Sequence, residues 1–247
     1  MKKVGIFDSG VGGLSVVKSL IKENFFKEII YYGDTARVPY GPKDQNTIIR
    51  YALEALEFFK NFDIDMLIVA CNSVSAYAIS DLKEVAPFPV VGVIEPGVKA
   101  LQNRIKDKNS SILITGTKAT IESKKYKNLL QSLGYRNILQ KATPLFVPLV
   151  EEKIYHGEIV DATMKYYFKE FNNIDALIMG CTHFPLLKKE YQKQFPKTLL
   201  IHSGEAITEY LKDNFNLQKV YKNTSISYYA TENPANLKKV AKEWLNL

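Results

Sequence analysis

Cysteine is almost missing from this chain. There are two in 247 residues, Cys71 and Cys181, and no Cys-x-x-Cys pair. Two thiols cannot fill a four-ligand zinc site unless histidines such as His183 and His202 are recruited, and no metal is expected. A structural disulfide is not expected in a reducing cytosol. Long apolar runs are also missing, and none approaches the roughly 18 residues that a membrane span needs. The opening MKKVGIFDSG enters a strand at once, with no signal-peptide apolar stretch and small-residue cleavage site. The expectation is a cytoplasmic protein without a membrane partner. Arginine is scarce, at four residues, so lysine supplies nearly all of the net charge of +7. The lysines are scattered, as in SKKYKN and LKKEYQK, along solvated helix faces. That pattern argues against a nucleic-acid partner. A positive field would still attract a small anionic substrate.

What the chain does contain is regular alternation. Apolar runs read as strands: KVGIF, EIIYYG, MLIVAC, PVVGVI, SILITG, ALIMGC, TLLIHS and SISYYA. Between them lie helical patterns such as LSVVKSLIKEN, apolar at Leu14, Val17 and Ile21, and TIIRYALEALEFFKNF. Near-continuous Val/Ile/Leu strands are buried on both faces, which predicts largely parallel sheets and an α/β fold. The composition, 46% hydrophobic, suits one large or two small soluble domains.

One pattern occurs twice. DMLIVACNSV (residues 65–74) and DALIMGCTHF (residues 175–184) share Asp-x-Leu-Ile-x-(Gly/Ala)-Cys-polar at an offset of 110 residues. Both cysteines sit at the ends of strands, where open α/β folds bind ligands. The repeat predicts two similar α/β lobes, related by a pseudo-twofold, with the active site in the cleft between them. The first lobe is expected over 1–96 plus 205–247, with EPG at the crossover, and the second over 97–204. SISYYA and NLKKVAKEWLNL would return to the first lobe.

The other strand ends carry polar residues: FDSGVGG, the loop YYGDTARVPYGPK, TGTKAT and, after a proline, FVPLVEE. FDSGVGG is not a dinucleotide fingerprint, because Ser15 stands where the third glycine belongs and Asp8 would repel a pyrophosphate. A lone cysteine is often only a small buried hydrophobe. Two at matched strand ends suggest opposed acid and base groups instead. One thiolate would remove a proton from a carbon, and the opposite thiol would protonate the other face. A thiol's reference pKa of about 8.5 suits that role. Ser9, Asn72, Ser73, Thr117, Thr120 and Thr182 could hold a substrate carboxylate. A non-catalytic binding module and a thiol redox protein remain as rival readings.

At these residues the chain resembles the glutamate racemases of the aspartate/glutamate racemase superfamily. The motifs GIFDSGVGGLSV, YYGDTARVPYGPK, ACNSVSA, GVIEPG, GTKAT and GCTHFPLL occur in order and cover essentially the whole chain. The resemblance implies a cofactor-independent, two-base interconversion of L- and D-glutamate, feeding peptidoglycan synthesis. Cys71 would serve the D-enantiomer and Cys181 the L-enantiomer. Asp8 would assist the first cysteine, and Glu151 and His183 the second. Asp8, Ser9, Tyr40, Gly41, Asn72, Ser73, Thr117, Thr120, Thr182 and His183 would contact substrate. A homodimer is implied, as is the returning C-terminal segment. The first motif departs from the family's usual Cys-Asn-Thr-Ala, and reads Cys71-Asn72-Ser73-Val74. Some relatives carry an N-terminal extension linked to activation by a cell-wall precursor, and that control is not expected here.

Overall fold

The computed structural model describes residues 1–245. Its strands are β1 (Lys3–Asp8), β2 (Glu28–Gly33), β3 (Met66–Val69), β4 (Val90–Gly92), β5 (Ser111–Gly116), β6 (Asn137–Ala142), β7 (Ala176–Gly180), β8 (Leu199–His202) and β9 (Ser225–Ala230). Its helices are α1 (Leu14–Glu23), α2 (Gln45–Phe59), α3 (Asn72–Tyr77), α4 (Ile79–Val85), α5 (Ile94–Arg104), α6 (Lys118–Glu122), α7 (Lys125–Ser132), α8 (Phe146–Glu151), α9 (Glu158–Phe168), α10 (Lys188–Gln194), α11 (Ser203–Phe215) and α12 (Pro234–Leu245). The strands form two sheets, ordered β4-β3-β1-β2-β9 and β6-β5-β7-β8. Every strand pairing is parallel, as the unbroken apolar runs predict.

The repeat extends well beyond the cysteine motif. Reversed, the second sheet reads β8-β7-β5-β6, the same order as β4-β3-β1-β2 in the first. Its strands begin at Ser111, Asn137, Ala176 and Leu199, which lie 108, 109, 110 and 109 residues after Lys3, Glu28, Met66 and Val90. The aspartate that opens each motif has a structural task. Asp65 Oδ2 accepts from the N–H groups of Lys2 (2.5 Å) and Lys3 (2.8 Å). Asp175 Oδ2 accepts from Ser111 N–H (2.7 Å). In each sheet the aspartate thus ties the entry of the cysteine strand to the neighbouring strand, β1 or β5, and fixes their register.

β6 escapes the apolar-run reading. It is an edge strand with the sequence NILQKA, and only Ile138 is buried. The run Glu95-Pro96-Gly97, which reads as a crossover, forms the first turn of α5. Proline is tolerated there because the first-turn N–H groups have no intrahelical acceptor. The C-terminal segment does return. β9 extends the first sheet alongside β2, from Glu28↔Ser225 to Gly33↔Ala230, and α12 packs on α1 and β9. The last two residues of NLKKVAKEWLNL, 246 and 247, lie outside the described residues.

A cluster of aromatic rings sets two pieces of the site. Phe146 of α8 meets Phe184 at 5.6 Å and 87°, and Tyr191 of α10 at 5.6 Å. Phe184 follows His183, and Phe146 opens the helix that ends at Glu151. Edge-to-face packing of buried rings therefore holds the Glu151 helix against the His183 turn.

Candidate active site

The carboxyl ends of β1, β2, β3, β5 and β7 point their loops at one small cavity. It is lined by Ser9, Val38, Pro39, Tyr40, Gly41, Cys71, Asn72, Ser73, Thr117, Val147, Cys181, Thr182 and His183. Cys71 follows β3 and Cys181 follows β7, and both are free and buried.

Around Cys71, the thiol donates to Ser9 Oγ at 3.5 Å. Asp8 is fully buried beneath the same loop. Its Oδ2 accepts from Gly10 N–H (3.1 Å) and its Oδ1 accepts from Thr182 Oγ1 (3.3 Å), a hydroxyl of the other half. Ser15 Oγ also crosses, donating to Thr182 O at 2.7 Å. Gly12 permits this close approach, since a methyl there would meet the Thr182 side chain and the His183 ring. Among the glycines of FDSGVGG it is Gly12 that lets the two halves meet.

Around Cys181, Sγ lies 3.7 Å from His183 Nδ1, and His183 Nε2 lies 2.6 Å from Glu151 Oε1. Ser73 Oγ pairs with Thr117 Oγ1 (2.8 Å), which donates to Thr120 Oγ1 (3.0 Å). Thr117 also caps α6 by accepting from Thr120 N–H. Asn72 is braced from the other half, with Tyr126 OH donating to its Oδ1 (2.8 Å) and its Nδ2 donating to Ser203 Oγ (3.2 Å). Asp8, Glu151 and Thr120 stand behind the lining and act on it through Thr182, His183 and Thr117. Val38, Pro39 and Val147 complete the wall. They carry no polar atom that would have marked them in the sequence. No group of three His, Cys, Asp or Glu side chains among the described residues is placed to hold a metal ion. No helix among them is long and apolar enough to cross a membrane.

The profile of the Asp/Glu/Hydantoin racemase family matches residues 15–211. The chain belongs to that family. A glutamate racemase of Nitratiruptor sp. is 59% identical over 98% of this chain and 96% of the relative. A crystal structure of glutamate racemase from Campylobacter jejuni superposes with a TM-score of 0.98, at 55% identity over 99% of this chain and 98% of that one. The Francisella tularensis glutamate racemase, solved with D-glutamate, superposes with a TM-score of 0.88, at 32% identity over 100% of this chain and 94% of that one. The protein is thus an isomerase with the two-lobed fold of this family.

Within that fold the two thiols have unequal surroundings. Burial pushes Cys71 up to about 12, and the nearby Asp8 charge adds to the rise. Asp8 is itself raised by burial, against the pull of His183 and of its N–H donors. Burial alone would push His183 down. Its hydrogen bonds to Cys181 and Glu151 outweigh that and lift the imidazole to about 10. At neutral pH the first thiol is therefore protonated, and the second has the His183 imidazolium 3.7 Å from its sulfur.

Proposed function

We propose that this protein interconverts L- and D-glutamate by a two-base reaction without a cofactor, with Cys71 and Cys181 as the proton carriers. The observation that carries the proposal is the pair of free, buried cysteines at equivalent strand ends of two like sheets, lining one cavity among hydroxyls. The activity named for relatives 55–59% identical agrees with it.

In the L-to-D direction, Cys181 takes the α-proton as a thiolate while the Cys71 thiol delivers a proton to the opposite face. The imidazolium of His183, held by Glu151, faces the Cys181 sulfur. Asp8 disfavours the Cys71 thiolate and so favours donation. The reverse direction exchanges the roles. Ser9, Asn72, Ser73, Thr117 and Thr182, with the Tyr40–Gly41 backbone and His183, orient the substrate's carboxylates and amine. Thr120 supports this by fixing Thr117. Such donors stabilise the negative charge that develops as the proton leaves.

The same reading assigns residues 1–96 plus 205–247 to one lobe and 97–204 to the other, with 246 and 247 outside the described residues. It also implies a cytoplasmic homodimer that supplies D-glutamate for peptidoglycan, with no nucleic-acid partner. The test is racemisation in deuterated water. L-Glutamate should lose optical rotation with no added cofactor or metal. At early times deuterium should appear in the D-glutamate formed, while recovered L-glutamate stays nearly unlabelled. Equal or faster turnover of L-aspartate would overturn the substrate assignment. Carriage of the substrate's own proton into the product would overturn the two-base mechanism.

A further inference from the structure

The loop between β2 and α2 supplies Val38, Pro39, Tyr40 and Gly41 to the cavity wall. Its backbone is sparsely bonded. Arg37 N–H donates to Asp34 O (3.1 Å), Lys43 N–H to Tyr40 O (3.0 Å), and Gly41 O accepts from Ala119 N–H (2.9 Å). The N–H groups of Tyr40 and Gly41 find no acceptor among the described residues. A wall this loosely tied needs side chains to hold its shape.

One side chain does so from three directions. Asp34 is fully buried, one residue past β2, and its N–H donates to Asp8 O at 3.1 Å. Its Oδ2 accepts from Arg37 Nε (2.6 Å) and from the Tyr40 hydroxyl. Its Oδ1 accepts from Thr231 Oγ1 (2.8 Å), and that oxygen accepts from Ala36 N–H (2.9 Å). Thr231 lies one residue past β9, so the C-terminal strand reaches the base of the loop. Arg37 is itself held by Glu54 and lies over the Tyr51 ring at 4.0 Å. A buried ion pair is weak evidence for stability, because well-packed apolar groups of the same volume often do as well. What a carboxylate supplies here, and an apolar cluster would not, is convergence of Arg37, Tyr40 and Thr231 on one point.

We propose that Asp34 is a positioning residue for substrate binding: through the Tyr40 hydroxyl it fixes the Tyr40–Gly41 backbone, and through Thr231 it makes the C-terminal strand part of that support. The proposal rests on the glutamate reading for what the wall binds. Asp34 does not touch the reacting carbon. A wall that holds substrate equally in ground and transition states affects KM and leaves kcat nearly unchanged.

The test uses Asp34→Asn, Tyr40→Phe, Thr231→Val and the Asp34→Asn/Tyr40→Phe double variant. Losing a charge-assisted bond that fixes the wall should raise KM about tenfold or more, with kcat within about threefold of wild type. The double variant should be no worse than the poorer single one, because both changes cut the same link. Hydrogen exchange at the Lys43 and Ala119 amides, which donate to Tyr40 O and Gly41 O, should quicken in Asp34→Asn and Tyr40→Phe, while β1 and β3 stay protected. That readout does not depend on which amino acid is the substrate. A wild-type protein inactive on glutamate would defeat the functional reading and leave the exchange prediction standing. KM within twofold of wild type in Tyr40→Phe, additive effects in the double variant, or unchanged exchange at the Lys43 and Ala119 amides would each overturn the role given to Asp34. Tyr40→Phe keeps the buried ring, so it decides the matter even if Asp34→Asn does not fold.

Discussion

Replacing Gly12 by alanine should damage this protein out of proportion to the single methyl added. An ideal Cβ at Gly12 would lie 2.6 Å from His183 Cε1 and Nδ1, and nearer still to Thr182 Oγ1. Real Cβ atoms essentially never approach within 3.0 Å, so both side chains must retreat. Neither can do so freely. Thr182 donates to Asp8 (3.3 Å) and its carbonyl accepts from Ser15, while His183 is held between Cys181 (3.7 Å) and Glu151 (2.6 Å). Overpacking costs about 1–3 kcal/mol, and each degree of freedom lost here also strains a buried hydrogen bond, worth about 1 kcal/mol net. At about 2–4 °C per kcal/mol for a chain of this size, Tm should fall by several degrees. Displacing His183 should lower kcat/KM, by on the order of a hundredfold if the shift reaches about 1 Å. The two enantiomers have equal free energy in water, so kcat/KM must fall equally from either side. A one-sided loss would signal an assay fault. Gly134→Ala is the control. It has φ +88° with nothing within 4 Å, so it should cost some stability through backbone strain and leave kcat/KM unchanged. If Gly12→Ala keeps wild-type Tm and kcat/KM, the halves do not meet this closely in the working enzyme.

Other consequences are equally open to measurement. Cys71→Ser and Cys181→Ser should each abolish racemisation of glutamate, because a hydroxyl is far too weak an acid and base for either role; a serine variant near the wild-type rate would make that cysteine structural. Ser73→Ala should lower kcat/KM more than Ser73→Thr. The hydroxyl lost is worth about 1.5–3 kcal/mol if it meets a carboxylate, while the methyl gained is worth about 1 kcal/mol. Wild-type kcat/KM in the alanine variant would remove Ser73 from the substrate. His183 is raised from 6.5 to about 10 in the folded protein, so its contribution to stability is full below pH 6.5 and lost as pH rises through 10. The Tm gap between wild type and His183→Asn should therefore narrow from pH 6 to pH 10.5, and a gap that widens would show that the imidazole is not held charged.

The fold was legible wherever a strand is buried on both faces. β1, β3, β5 and β7 are apolar almost throughout, and their runs predict parallel neighbours without further information. β6 was not, because only Ile138 of its six residues is buried and Asn137, Gln140 and Lys141 interrupt the apolar pattern. The signal that finds it is the repeat itself. Shifting β2 by the cysteine offset lands on residues 138–143, one residue from the observed strand.

The lining of the candidate cavity was legible in its residues and less so in their connections. Strand-end position singles out Cys71, Cys181, Ser9 and Thr117, since a polar residue after a buried strand is unusual on packing grounds alone. Sequence cannot show that Asn72 is braced by Tyr126 and Ser203, or that Ser15 grips Thr182, because these bonds join residues 54 to 167 positions apart. Nor does it show that Gly12 is small to admit His183 rather than to turn the chain. These cross-links share one physical cause. A cavity closed by two lobes needs each wall oriented by the other, so the supporting bonds must run between halves that local patterns describe one at a time. Thr182 is the sharpest case. Its position after Cys181 marks it for substrate, yet its hydroxyl already donates to Asp8, which lies beside Cys71. The same side chain that would bind at one thiol thus ties the Cys181 strand end to the carboxylate that sets the other.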